Sequence, residues 1–257
     1  MGLISTNTAN RIFTITLNRP DKRNALSYEL VSELKEGFHA AKNDADTKVI
    51  VLEAEGMVFS AGADLAYIEQ LQKNTYQENL KDSNHLRELF EMIYRHPKPV
   101  IAKVQGHAIA GGCGLAAVCD FVITVPEAKF GYTEVRIGFI PALVSIFLIR
   151  KIGEARAREL LLTGDLYSAE AVQSMSLVNW VVSQEELDQA VTDLADKLIS
   201  QNSGQSMALT KQLLSDLPEL SLDQALTRAA ELNAQARGSE DCKKGIGAFL
   251  SKEKLEW

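Results

Sequence analysis

Cysteine is scarce: Cys113, Cys119 and Cys242 are all that the 257 residues contain. Three thiols cannot build a disulfide scaffold and leave an odd one over, which suits a reducing compartment. Positive charge is short as well. Lys and Arg number 27 against 34 Asp and Glu, a formal net charge of −7 with no long basic run to offset it, so nucleic acid is not the expected partner. No uninterrupted apolar run approaches the roughly 18 residues that a membrane helix needs. The longest candidate, Phe139 to Ile149, carries Pro141 and Ser145 between Arg136 and Arg150. The opening residues MGLISTNTANRIF lack a basic stretch followed by an apolar core and a small-residue cleavage site, so a secretory signal is not expected and a cytoplasmic location is. What is present is ordinary: 46% apolar and 24% charged residues, in a chain long enough for one large domain or two small ones with a sizeable core.

Hydrophobic spacing divides the chain. Arg11 to Asn18 alternates and ends at Arg19-Pro20-Asp21, a strand running into a turn. From Ser27, a capping residue, Leu30, Val31, Leu34, Phe38 and Ala41 recur at helical intervals. Val49 to Leu52, Pro99 to Val104 and Phe121 to Val125 are short β-branched runs and read as buried strands. Leu86, Leu89, Phe90 and Ile93 form another helical stripe, closed by His96-Pro97. The repeated order of strand, strand and helix predicts an α/β fold with parallel strands. From Gly153 onward the patterns are mostly helical, in 155–162, 168–174, 185–199, 206–214, 222–236 and 240–250, which predicts a helical appendage and no second sheet.

Familiar catalytic signatures are missing. There is no His-Glu-x-x-His, no Cys-x-x-Cys and no Gly-x-Ser-x-Gly, and His39, His85, His96 and His107 lack ligand-like spacing, so no metal is expected. Gly106 to Gly111 has the glycine spacing of a P-loop, but Gly112 and Cys113 stand where Lys and a hydroxyl residue are required. Two glycine-rich turns remain, Phe59-Ser-Ala-Gly-Ala-Asp-Leu65 and Gly106-His-Ala-Ile-Ala-Gly-Gly-Cys-Gly114, each after a predicted strand. Small residues let a ligand approach the backbone, and a helix starting near Gly111 turns free N–H groups toward it. The same glycines also suit tight turns and close helix packing alone. A third element, Phe130 to Pro141, sets Glu134 among apolar residues, as a helix-capping acid or as an acid/base with a raised pKa.

In order, these elements resemble the crotonase superfamily, the enoyl-CoA hydratase/isomerase family. The resemblance rests on Asn18-Arg-Pro-Asp-Lys-Arg-Asn-Ala-Leu26, Phe59 to Leu65, Lys98 to Gly106 leading into Gly111-Gly112 and Cys119-Asp120, and Gly245-Ile-Gly-Ala-Phe-Leu-Ser-Lys252, and it covers nearly the whole chain. It implies a spiral of ββα turns over 1–195 and a C-terminal helical trimerisation region over 196–257, in a homotrimer or homohexamer. The backbone N–H groups of Ala63 and Gly111 are then the oxyanion hole for a thioester carbonyl. CoA is implied near Arg23, Ala25, Ala61, Ala63, Asp64 and Leu65, with Phe249 and Lys252 closing over it, often from a neighbouring subunit. No separate cofactor is implied, because the acyl-CoA is itself the substrate.

The chain departs from the family pattern at Gly114, where ordinary hydratases carry one of two catalytic glutamates, so Glu134 stands alone unless Glu127 or Asp120 folds nearby. A single glutamate at this position is typical of members that shift a double bond from C3 to C2. The longer string Gly112-Cys-Gly-Leu115, Glu134 to Ser145 and Arg150 to Gly153 looks most like the bacterial methylglutaconyl-CoA hydratase branch, which implies hydration of a branched, carboxylated enoyl-CoA or the reverse dehydration. A catalytically silent CoA-binding scaffold is the third reading. In an extended segment Arg136 would share a face with Glu134 and meet a distal carboxylate of the substrate, or else pair with Glu134 itself or lie on the surface. Cys113 and Cys119 read as small core residues, His107 as a substrate contact or as packed and hydrogen-bonded, Tyr132 and Phe139 as acyl-pocket lining or core, and Trp180 as core or subunit interface.

Overall fold

The computed structural model describes residues 2–255 and 257, with Leu65 described by its backbone alone. The chain opens with an antiparallel hairpin of β1 (Ile4–Ala9) and β2 (Ile12–Leu17), and a 3-10 turn at Pro20–Lys22 leads to α1 (Tyr28–Asn43). Ser27 caps α1 as its pattern predicts, its hydroxyl accepting the Leu30 N–H at 3.3 Å. Three winds follow, each made of one strand in a large sheet, one in a small sheet, and helix. The first is β3 (Val49–Ala54), β4 (Val58–Ser60), then α2 (Leu65–Leu71) and α3 (Tyr76–Tyr94). The second is β5 (Val100–Val104), β6 (His107–Ile109) and α4 (Gly111–Ala117). The third is β7 (Phe121–Thr124), β8 (Lys129–Gly131) and α5 (Ala142–Thr163).

Each wind advances one strand position in both sheets. In the large sheet β2, β3, β5 and β7 run parallel, with Val51 beside Ile101 and Ile101 beside Phe121. In the small one β4, β6 and β8 run parallel. This is an α/β spiral of the predicted kind. Val49, Ile50 and Leu52 have no exposed surface, nor do Val100 and Ile101, which is why these strands read as continuous apolar runs.

The expectation of a helical appendage after Gly153 misses two short strands. The small sheet is completed by β9 (Tyr167–Ser168), antiparallel to β8, and the large one by β10 (Trp180–Val181), parallel to β7. Two-residue strands are too short to leave a periodic trace. Helices α6 (Ala169–Ser174), α7 (Leu187–Gln201), α8 (Gly204–Asp216), α9 (Leu222–Gly238) and α10 (Glu240–Ser251) make up the rest, beside short turns. A division at 195/196 falls inside α7; the chain leaves that helix at Asn202. The apolar stretch ending at Ile149 belongs mostly to the first half of α5, which breaks at Gly153 with φ +77°. No helix among the described residues is long and apolar enough to cross a membrane. At the C-terminal end Leu222, Leu226, Ile246, Phe249 and Leu250 stay exposed, an apolar surface that the rest of the chain leaves uncovered.

Candidate active site

Two turns meet where β4 and β6 end. Gly62 has φ +88°, and a Cβ built on it would lie 2.8 Å from Ala110 Cβ, 3.0 Å from the Ile109 carbonyl oxygen and 3.5 Å from Gly111 N. A side chain there would push the turns apart. Ala63 is held by a single parallel bridge to Leu26: the Leu26 N–H donates to the Gly62 carbonyl at 2.6 Å and the Asp64 N–H to the Leu26 carbonyl at 3.0 Å. In such a bridge the flanking residues make the bonds, so the N–H of Ala63 itself faces the other way. The Gly111 N–H, first in α4, is one of the donors that a helix leaves without an internal partner. The sequence therefore sets two backbone donors on adjacent turns. Gly112 is equally constrained, since its Cβ would fall 2.4 Å from the Ser60 carbonyl oxygen.

Ala110 carries the cost of this arrangement. It sits at φ +51° and ψ −126°, a conformation that favours glycine, and no side chain caps α4 in front of it. Its N–H donates to the Gly131 carbonyl at 2.7 Å and its carbonyl accepts the Gly114 N–H at 3.0 Å, so bonds on both sides hold a backbone that costs about 1–3 kcal/mol.

The 19–26 segment braces the first turn. Arg23 and Asn24 both have left-handed φ near +50°, and buried Asn24 donates through Nδ2 to the Glu55 and Val58 carbonyls at 2.8 Å each. Ser60 Oγ donates to the Asn24 carbonyl at 2.9 Å and the Ala61 N–H to the Arg23 carbonyl at 3.0 Å. The Arg19 guanidinium donates to the Ala25 carbonyl at 3.0 Å and to the Asp64 carboxylate at 2.8 Å. Burial would raise the Asp64 pKa, yet Arg19 and the N–H groups of Ala66 and Tyr67 hold it below its ordinary value. Asp64 thus acts here as an ionised brace and as the N-cap of α2. Arg23, Ala25, Ala61, Ala63 and Asp64 are brought together by these bonds, and the side chain of Leu65 lies outside the described residues.

Glu134 opens the 3-10 turn Glu134–Ile137 that follows β8. Its Oε2 is buried and has no hydrogen-bond partner among the described residues. Burial raises its pKa, while a hydrogen bond from its own backbone pulls the other way. A carboxyl group with that environment holds and releases a proton nearer neutrality than an exposed one. Asp120 and Glu127 supply no companion. The Asp120 carboxylate takes the Val100 N–H at 2.7 Å and Lys211 Nζ at 2.6 Å, beyond the C-terminal end of α4, and Glu127 is exposed between β7 and β8. At Gly114 a Cβ would lie 2.1 Å from Val144 Cγ1, 3.0 Å from Val144 Cβ and 3.5 Å from Phe90 Cζ. The room for a side chain is filled by hydrocarbon.

Arg136 departs from the geometry considered for it. The segment is a 3-10 turn and not extended, so residues two apart leave on different sides, and Arg136 is exposed and ion-paired with Asp165. Phe249 and Lys252 lie at the end of α10, which packs on α8 and α9; Phe249 is 83% exposed and Lys252 closes the helix in a left-handed conformation. Tyr132 is fully buried, whereas Phe139 is exposed. His107 is exposed, its Nδ1 accepting the Lys129 N–H at 3.2 Å. Trp180 is partly exposed and stacks on Phe121 with centroids 6.1 Å apart. Cys113 and Cys119 are buried, and burial pushes each thiol up to about 12, so neither is a thiolate nucleophile at neutral pH.

Sequence reasoning passed over Arg19, Asn24, Ser60, Ala110, Phe90 and Val144. The first four stand inside the strings Asn18 to Leu26, Phe59 to Leu65 and Gly106 to Gly114, so a signal for them existed. Nothing in the pattern pairs Val144 with Gly114. A cavity of about 920 Å³ opens at the far end of α4, between Phe147, Lys151, Met207 and Lys211. There Lys151 Nζ donates to the Ala117 and Cys119 carbonyls at 3.0 and 2.7 Å, which closes that helix end and sets the cavity apart from the two N–H donors.

Comparison with known proteins bears on the chain as a whole. The family model described as enoyl-CoA hydratase/isomerase matches residues 7–257. A protein of Thermus thermophilus is 41% identical over 241 residues, 94% of this chain and 95% of the relative. The 2,3-dehydroadipyl-CoA hydratase of Escherichia coli is 32% identical over 243 residues, 94% of this chain and 93% of the relative. Among solved structures, an enoyl-CoA hydratase of Mycobacterium smegmatis superposes with a TM-score of 0.94 at 31% identity, covering 100% of this chain and 99% of that one. With a match over nearly its full length in both sequence and fold, the chain belongs to the enoyl-CoA hydratase/isomerase family.

Proposed function

We propose that this chain is a hydro-lyase of the enoyl-CoA hydratase type, adding or removing water across C2=C3 of an acyl-CoA, with a branched acyl group such as 3-methylglutaconyl as substrate. The observation that carries it is Glu134 Oε2, buried and without a hydrogen-bond partner among the described residues, three residues beyond the Gly131 carbonyl that holds the Ala110 N–H next to the Gly111 donor. The N–H groups of Ala63 and Gly111 polarise the thioester carbonyl and stabilise the enolate that forms; one donor of this type contributes about 3–4 kcal/mol. Glu134 takes the proton of the water that attacks C3, and C2 receives a proton from the same carboxyl group or from solvent. The dicarboxylic acyl group in the name of the Escherichia coli relative supports a carboxylated substrate, while the pairing of Arg136 with Asp165 gives the distal carboxylate no cation at that position.

The filled space at Gly114 favours a second reading, shift of a double bond from C3 to C2, which needs one base only. Incubation with 3-methylglutaconyl-CoA and, separately, with a 3-enoyl-CoA, followed by mass spectrometry, tells the two apart. Hydration adds the mass of one water and isomerisation adds none. Conversion of neither substrate overturns both readings and leaves a CoA-binding scaffold. The uncovered apolar side chains of α9 and α10 support a homotrimer or homohexamer as the working form. Light scattering on the purified chain is expected to give three or six times the subunit mass, and a stable monomer refutes this.

A further inference from the structure

We propose that Tyr67 is a positioning residue for the Ala63 N–H donor, its hydroxyl pinning α2 to Asp82 of α3. Among the described residues, the hydrogen bonds that tie the 61–64 turn to other segments run to one side, the 19–26 segment: Ala61 to Arg23, Gly62 and Asp64 to Leu26, and Asp64 again to Arg19. The two bonds that flank Ala63 fix a line, and rocking of the turn about that line is opposed only by an attachment elsewhere. The chain beyond the turn supplies one. Asp64 caps α2, its carboxylate accepting the Ala66 N–H at 3.0 Å and its carbonyl the Ile68 N–H at 2.9 Å, so the turn and the helix move as one piece. A tilt of α2 is a tilt of the Ala63 peptide.

Seven residues long, α2 has little else to hold it. None of its described side chains is buried and none packs into the core, and a helix of two turns does not sustain itself in water. Among the described residues, its one hydrogen bond to another element runs from Tyr67 Oη to Asp82 Oδ1. Burial and this carboxylate raise the pKa of the phenol, with Glu29 of α1 adding to them, so Tyr67 stays a donor around neutrality. The Tyr67 backbone N–H is in turn one of the groups on the Asp64 carboxylate. The anchored residue therefore touches the cap beside Ala63. Phenylalanine at position 67 would keep the packing and release the helix.

The role of Tyr67 rests on the reading of the Ala63 N–H as a donor to the thioester oxygen, and its test is separable from that of the reaction. Full-length wild type, Tyr67→Phe, Asp82→Ala, Asp82→Asn, the double variant Tyr67→Phe with Asp82→Ala, and Glu134→Gln are assayed with 3-methylglutaconyl-CoA, or with the 3-enoyl-CoA where that is the one converted. Calorimetry gives their affinities for free CoA and for a 3-oxoacyl-CoA, whose enolate places charge on the thioester oxygen. We expect Tyr67→Phe and Asp82→Ala each to lower kcat about tenfold with KM within about twofold, part of the roughly hundredfold that a misplacement of about 1 Å can cost. Affinity for the 3-oxoacyl-CoA should fall by a similar factor while affinity for free CoA is unchanged. Asp82→Asn, which keeps an acceptor oxygen, should restore most of kcat, and the double variant should lose no more than the worse single. Wild-type kcat in Tyr67→Phe, with Glu134→Gln inactive, overturns the role of Tyr67 and leaves the assigned reaction standing. Equal losses of affinity for both ligands show a general packing role and overturn it too, as do losses that multiply in the double variant. Activity retained by Glu134→Gln, or conversion of neither substrate by wild type, overturns the reaction assignment, and the contrast between the two ligands then decides the role of Tyr67.

Discussion

Glu134→Gln is expected to lower turnover about a thousandfold while the affinity for CoA thioester stays within a few-fold of wild type. The magnitude lies within the range for losing a general acid/base, about 4 kcal/mol of barrier. Glutamine keeps the length and planarity of the side chain and removes the titratable proton. The affinity should survive because the Ala63 and Gly111 donors are backbone, and the braces on Ala63 run through Leu26, Arg19 and Asp64. Stability gives an independent check with a definite sign. Burial raises the folded-state pKa of Glu134, so the folded protein binds this proton more tightly than the unfolded chain. Its contribution is fully present below the ordinary glutamate value of about 4.3 and is lost as pH rises through the raised folded value. Glutamine has no such dependence. The variant should therefore equal or exceed wild type in melting temperature at neutral pH, and its advantage should shrink on acidification. Turnover within tenfold of wild type in steady-state assays would refute the acid/base assignment.

The second large effect is on folding. Gly114→Glu should destabilise the protein by about 3 kcal/mol or more, because overpacking a filled site and burying an unpaired carboxylate add together. A Cβ 2.1 Å from Val144 Cγ1 leaves no rotamer to search, and the clash begins at the first atom. Val144 lies in the first turn of α5, where a glycine costs less than in a helix interior, so Val144→Gly alone should cost about 2 kcal/mol. Combined, the two should be more stable than Gly114→Glu by itself, a coupling of the kind that residues in direct contact show. Urea melts of both singles and the double measure this. Equal stability of Gly114→Glu and wild type would mean that α4 and α5 do not meet at this point.

Much of the spiral was legible because its large-sheet strands are buried on both faces and spell themselves in apolar runs, as Val49 to Leu52 does. What escaped had no such signature. β1, with Ser5, Thr6, Asn7 and Thr8 exposed at a sheet edge, shows no inward face to read. β4, β6 and β8 have three residues each, shorter than any period, though they carry the turns on which the site is built. At the site, Gly62, Gly111 and Gly112 announced themselves by residue type. The filling of position 114 by Val144 is a contact across 30 residues, and local pattern holds no record of it. Arg136 shows the opposite failure: alternation was assumed where the chain instead turns through a 3-10 helix, and a two-residue offset changed sides.

The bonds from Arg23 to Ala61 and from Leu26 to Gly62 and Asp64 form a short seam between the 19–26 segment and the 61–64 turn. Along it a pull on one side becomes a displacement on the other. For the proposed thioester, seating the nucleotide end against Arg23 and aiming the Ala63 N–H at the carbonyl are then one motion. Part of the affinity for the far end of the substrate is converted into alignment at the reacting end, so a thioester clipped of its nucleotide forfeits rate as well as grip.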